Sequence, residues 1–244
     1  MKRIITSLVI DKGKCIKPHK FDNPIYLGDP VNIVRILNDQ GCGEIALFDK
    51  SGKIDFDLLS RISRMSLVPI AYGGRYKSFE EIKKLFKIGF EKIIFSSSIL
   101  YSKNLIDETI KKYGASSVIL IINYKIIKNE YKWVTNHART IQEINFKNLL
   151  KICFSISPSE LILQNVDRES SYEGIDTSVL KYFSDNNIPI VLSGGCSSKD
   201  EVVKIQNNLL IDGIAVGSLF SLFGEYKTPL TNHLFNVWEL NDSV

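Results

Sequence analysis

Short apolar runs recur along the chain at 3–10, 44–49, 68–72, 92–96, 117–123, 161–165, 188–192 and 214–216. Runs of that length, dominated by Ile, Leu and Val, predict strands buried on both faces. Between most of them the apolar positions recur instead at three- and four-residue spacing, as in 29–38, 79–88 and 199–205, which predicts helices with one apolar stripe. Strands alternating with helices over 244 residues, with no linker, predict a single-domain α/β fold, a closed (β/α)8 TIM barrel rather than an open sheet. Two segments interrupt the alternation: 11–28 reads as a basic loop after the first strand, and 124–139 as a hairpin turning near Asn129. Both follow strands, so the barrel places them on its C-terminal face, where active-site loops lie.

The run 188–192 leads into Ser193, Gly194 and Gly195, and a helical pattern opens at Cys196 to Lys199. A glycine turn ahead of a helix N-terminus lets backbone N–H groups approach an anion closely, and phosphate fits that environment. The same device occurs earlier, where Pro69, Gly73 and Gly74 correspond to Pro189, Gly194 and Gly195. Each copy is preceded by a strand ending in aspartate, Asp49 or Asp167, and followed by one ending in small polar residues. A twofold repeat of half-barrels, approximately 1–115 and 116–244, is the expectation.

Composition narrows the function. The net charge is +4, from 31 Lys and Arg against 27 Asp and Glu, but the lysines are dispersed over helical patterns. Anionic small molecules are therefore expected as ligands, and nucleic acid is not. No apolar run is long enough to span a bilayer, and the opening MKRIITSLVI turns polar too early for a signal peptide, so a cytoplasmic protein with no membrane partner is expected. Cys15, Cys42, Cys153 and Cys196 lack metal-type spacing and read as packed thiols, with no metal and no cofactor.

With KRIITSLVIDKGKCIK, LGDPVNIVRILNDQGCGEIALFD, PIAYGG, VDRESSYEGID and PIVLSGG in this order, the chain resembles the cyclase subunit of imidazole glycerol phosphate synthase along essentially its whole length. The resemblance implies a (β/α)8 barrel fed with ammonia by a HisH-like glutaminase docked on the N-terminal face. It implies two phosphate sites, one at Gly73, Gly74, Ser96 and Ser97 and one at Gly194, Gly195, Gly217 and Ser218. Arg75 stands where the family has a third loop glycine, and in the loop after strand six Glu169 and Ser170 stand for an Asp-Gly pair; because the second-half loops keep their close-approach glycines and a hydroxyl, that site is the one expected to bind an anion more readily. Asp49, Asp167, Asp176 and Ser193 match family positions, and Lys17 matches a lysine of the mobile first loop. Arg3, Glu44, Lys92 and Glu160 match the ring of charges that gates ammonia at the foot of the barrel.

The family's acid and base, however, are replaced by Val9 and Asn123. Valine transfers no proton and an amide does not titrate usefully near neutral pH. Asp11, two residues beyond Val9, offers a substitute on the same side of an extended strand. Keeping the gate while losing the proton-transfer pair is similar to the second-copy branch of the family. There a glutaminase and this barrel supply ammonia to a sugar amidotransferase in surface-polysaccharide biosynthesis. Two alternatives stand beside that expectation: a histidine-pathway cyclase (a lyase) with displaced catalytic groups, and a non-enzymatic phosphosugar-binding barrel.

Overall fold

The first strand, β1 (Arg3–Asp11), sets the pattern for the fold. In the computed structural model, which describes residues 2–19, 22–183, 187–223 and 228–229, Ile4, Leu8 and Ile10 face the outer apolar layer under the helices. Ile5 belongs to a separate inner cluster, and Ser7 and Val9 line a cavity above it. The two-residue period of a strand thus divides one sequence between two cores.

In chain order there follow β2 (Lys14–His19), β3 (Asp22–Gly28), α1 (Pro30–Asp39), β4 (Ile45–Asp49), α2 (Phe56–Met65), β5 (Ile70–Gly73) and α3 (Phe79–Lys87). Next come β6 (Lys92–Phe95), α4 (Ser98–Tyr101), α5 (Lys103–Tyr113), β7 (Val118–Ile127), β8 (Glu130–Thr135), β9 (Thr140–Ile141) and α6 (Phe146–Ile156). The described chain continues through β10 (Glu160–Asn165), a 3-10 turn at Ser178–Tyr182, β11 (Ile190–Ser193), α7 (Lys199–Gln206), β12 (Gly213–Val216) and α8 (Ser218–Ser221). Among the described residues, β1, β4, β5, β6, β7, β10, β11 and β12 pair in parallel in that order, and β12 pairs back onto β1. The expected (β/α)8 barrel is therefore closed and has no free edge.

Its middle is plugged by Ile5, Ala46, Ala71, Ile94, Ile119, Ile121, Ile162, Val191 and Ala215, contributed by all eight strands. The small residues cluster on β4, β5 and β12, where the bulkier isoleucines of the facing strands complete the packing. Outside, α1 buries Pro30, Ile33, Val34 and Leu37, one stripe at helical spacing. Asp29 starts it, its carboxylate accepting from the N–H groups of Val31 and Asn32 at 3.0 and 3.1 Å ahead of Pro30. Removing Leu37 to Ala would cost about 2–5 kcal/mol, since the buried stripe holds the helix to the barrel.

The segment 11–28 departs from the expected loop. It is an antiparallel ribbon, with Asp11 opposite Lys14 and β2 paired to β3. Lys12 and Gly13 both take positive φ, the backbone sense a tight hairpin turn requires. Its basic composition concealed a strand whose Cys15, Ile16 and Lys17 are all buried. The expected hairpin at 124–139 is present, with Lys128 and Asn129 at its positive-φ turn between β7 and β8. Three further positive-φ residues in succession, Asn136, His137 and Ala138, leave β8 and carry the chain over the barrel mouth.

Candidate functional site

At the foot of the barrel four charged side chains close into one ring. Arg3 binds Glu44 at 3.0 Å and also Glu160, while Lys92 lies 3.5 Å from Glu44 and 3.1 Å from Glu160. Glu160 is 0% exposed and Glu44 8%, so each carboxylate needs both cations to offset its desolvation. Burial works against the Arg3 guanidinium, but Glu160 and then Glu44 outweigh it and raise its pKa. Glu44 immediately precedes β4, and the other three residues begin β1, β6 and β10, so the strand pattern itself aims them into the lumen.

At the opposite end the strand C-termini open into a cavity of about 240 Å³. Gly73, Gly74, Arg75, Ser96 and Ser97 form one wall, with Lys50 and His137 above them. Ser193, Gly194, Gly195, Gly217 and Ser218 form the other, with Lys17, Glu169 and Ser170. Gly194 and Gly195 have φ of 94° and 91°, and a Cβ on either would come within 2.4 Å of a backbone carbonyl, that of Asn165 or Gly174. No other residue fits there without moving the loop after β10.

The helix N-terminus expected to receive an anion is already filled. At α7, Ser198 accepts from Glu201 N–H at 3.2 Å, and the Glu201 carboxylate accepts from Ser197 N–H and Oγ, both at 2.7 Å. At α3, Ser78 caps Glu81 N–H and Glu81 accepts from Lys77 N–H at 2.6 Å. These reciprocal caps satisfy the donors that a free anion would use. The helices begin at Phe79 and Lys199, several residues past the glycines, so the anion reading rests on the loops alone.

The profile of the family described as Histidine biosynthesis protein matches residues 3–227. A Leptospira interrogans protein named "Putative imidazole glycerol phosphate synthase subunit HisF" is 32% identical over 239 residues, 95% of this chain and 94% of its own length. The chain belongs to this family. A Campylobacter concisus (strain 13826) protein named "Imidazole glycerol phosphate synthase subunit HisF" is 29% identical, covering 93% of this chain and 91% of its own. A Vibrio vulnificus (strain YJ016) protein named "Putative imidazole glycerol phosphate synthase subunit hisF3" is 27% identical, covering 95% and 92%.

Within this HisF-like barrel, Val9 and Asn123 both line the cavity, on β1 and β7, two strands that continue past it into hairpins. Asn123 Nδ2 donates to Ser96 Oγ at 3.5 Å, while its buried Oδ1 has no hydrogen-bond partner. Asp11 is not part of the cavity lining; it pairs with Lys14 in the ribbon. Asp167 is also outside the lining, exposed and 3.9 Å from Lys125. Asp176 lies outside it as well, behind the wall, where it accepts from Tyr124 Oη at 2.9 Å, Asn165 Nδ2 at 3.3 Å and Ser178 N–H at 3.0 Å. Asp49 does reach the cavity, but accepts from Tyr72 Oη and Ser51 N–H, both at 2.8 Å.

The sequence reading missed His137 and Lys50. Burial first, then the charges of Lys50, Arg75 and Arg139, hold the His137 pKa below its ordinary value against the opposing pull of Asp11. Its place in the hairpin expected over the C-terminal face was the available signal. Cys196 lines the cavity, but burial pushes its thiol up to about 12, as it does Cys15 and Cys153. All four cysteines are free and buried. Among the described residues no helix is long and apolar enough to cross a membrane.

Proposed function

We propose that the chain is the ammonia-receiving barrel of a glutamine-dependent amidotransferase system of the cytoplasm. A HisH-like glutaminase docks around the foot of the barrel, and the nitrogen passes to a sugar precursor in surface-glycan biosynthesis through a sugar amidotransferase. One contrast carries this reading: the ring of Arg3, Glu44, Lys92 and Glu160 is complete, whereas Val9 and Asn123 occupy the proton-transfer positions of the cavity. A ring of two cations and two anions pairs internally and opens for neutral ammonia without moving net charge into the apolar plug. The relatives' names as subunits of imidazole glycerol phosphate synthase support a life in a complex. In this reading Gly73, Gly74, Arg75, Ser96 and Ser97 meet the phosphate of the ligand, and Asp49, Asn123 and Ser193 its hydroxyl or amide groups.

The test is co-purification of the chain with candidate glutaminases, followed by glutamine hydrolysis with and without it. Stimulated hydrolysis and transfer of the amide nitrogen into a sugar product support the reading. Tight phosphosugar binding with no effect on any glutaminase points instead to a non-enzymatic binding barrel. Turnover of the histidine-pathway substrate at the rate of a working cyclase points to displaced catalytic groups.

A further inference from the structure

We propose that Glu169 and Ser170 close the second-half cradle to a ligand phosphate, so that the cavity takes a small molecule phosphorylated at one end, seated in the first half. This reverses the order that the glycine pattern suggested. It rests on reading the cavity as a phosphosugar site, and is independent of any glutaminase.

The side-chain donors a phosphate would use in the second half, those of Lys17, Ser170 and Ser218, are engaged by the chain itself. Lys17 points its ammonium at Gly217; a Cβ on that glycine would lie 2.9 Å from Nζ, so the cation fills the space the missing side chain leaves. The same ammonium is paired with Glu169, which is 8% exposed and also accepts from Gln164 Nε2 at 3.1 Å. Ser170 Oγ lies 3.0 Å from the Pro18 carbonyl and 3.2 Å from Ser218 Oγ. A hydroxyl has one proton, so when Ser170 donates to Pro18, Ser218 donates to Ser170 and has no proton left for a ligand. Glu201 meanwhile holds Ser197 N–H and Oγ.

The charge balance points the same way. Lys17 and Glu169 cancel, and an arriving phosphate dianion must either stand beside a buried carboxylate or strip it of its cation. The first-half wall differs in charge, although its Gly74 N–H is likewise held, by Tyr76 Oη at 3.1 Å. Lys50, Arg75 and His137 line it, Arg139 adds its field, and Ser96 accepts from Asn123 with its own proton left to donate. Asp49 is the carboxylate on that side, and it is held by Tyr72 and Ser51. The carboxylate and the hydroxyl that fill the second cradle stand where the resemblance implies Asp and Gly. The longer acid reaches Lys17, and glycine has no hydroxyl to bond Ser218.

The experiment titrates the full chain calorimetrically with inorganic phosphate, fructose 6-phosphate and fructose 1,6-bisphosphate, and repeats it with the double variant Glu169→Asp, Ser170→Gly. The wild type should bind one phosphate, with density beside Arg75 in phosphate-soaked crystals, and should bind the bisphosphate no more tightly than the monophosphate. The double variant should bind a second phosphate and prefer the bisphosphate by roughly tenfold or more, the scale of one charge-assisted hydrogen bond regained when the shorter acid releases Lys17 and Ser218 recovers its proton. Two phosphates on the wild type, or density at Gly217 and Ser218, would overturn the inference while leaving the phosphosugar reading intact. No phosphate bound in either half would overturn both. Because the wild-type stoichiometry decides the question alone, failure of the variant to fold does not shelter the proposal.

Discussion

Arg3 and Glu160 join across the foot of the barrel, although β11 and β12 separate their strands in the sheet. This chord, completed by Lys92 and Glu44, means that no single carboxylate can be removed without stranding cations at a closed mouth. Glu160→Ala should therefore destabilise the chain by about 1–3 kcal/mol, less than a fully buried pair would cost because the Arg3 side chain stays 41% exposed and keeps Glu44, read from denaturant unfolding. A change below about 1 kcal/mol would mean that the ring behaves like exposed strand-end charges.

The same ring gives a functional expectation. Lys92→Glu places a third anion in it, and should lower the nitrogen transferred per glutamine hydrolysed in the reconstituted system, with external ammonium restoring product. Following labelled amide nitrogen into the product measures it. Equal transfer in both proteins, with unchanged affinity for the glutaminase, would count against a channel role.

Val9 and Asn123 face one cavity, so the cyclase reaction should run poorly in the unmodified chain. Loss of a general acid or base costs about 100- to 10,000-fold for each role. Val9→Asp with Asn123→Asp should raise turnover of the histidine-pathway substrate with ammonia, measured by product absorbance. Wild-type turnover matching a working cyclase would refute the expectation.

His137 gives the first-half wall a pH dependence. Its pKa lies below the ordinary 6.5 because burial and three cations oppose its charge. The unfolded chain therefore takes the proton more readily, and this group's contribution to stability is full above about 6.5 and lost as pH falls through the lowered value. A sulfate dianion bound nearby favours the charged form, so binding draws in a proton and sulfate affinity should rise as pH falls below neutrality. Sulfate does not titrate in this range, which isolates the imidazole. In His137→Gln the slope should flatten; an unchanged slope would assign it elsewhere.

Asp176, a family-matched aspartate behind the wall, should act on stability alone. Asp176→Ala orphans Tyr124 Oη and Asn165 Nδ2, both buried, and about 1–3 kcal/mol should be lost for each buried group left unpaired. Phosphate affinity should stay within twofold or so of wild type, since Asp176 does not line the cavity. A larger loss of affinity at unchanged stability would return Asp176 to the site.

The barrel was legible in the sequence because its causes are local. Each strand carries its own apolar run, most of the longer helices their own stripe and cap, and the glycines at 194–195 announce backbone that no side chain tolerates. Strand alternation also carried Arg3, Ile5, Ser7 and Val9 into one column, so a single strand already named foot, plug and cavity. What only the tertiary structure decided were relations between distant segments. Lys17 meets Glu169 because the ribbon after β1 folds over the loop after β10, and nothing in either stretch specifies that pairing. His137 reaches Arg75 and Lys50 because three left-handed residues turn the hairpin across the mouth. Asp11 and Asp167 read as site residues by position, yet neither lines the cavity: Asp11 stands opposite Lys14 in the ribbon, and Asp167 is exposed beside Lys125. Burial, charge pairing and the direction of a side chain depend on what packs opposite, and that partner lies far away in the chain.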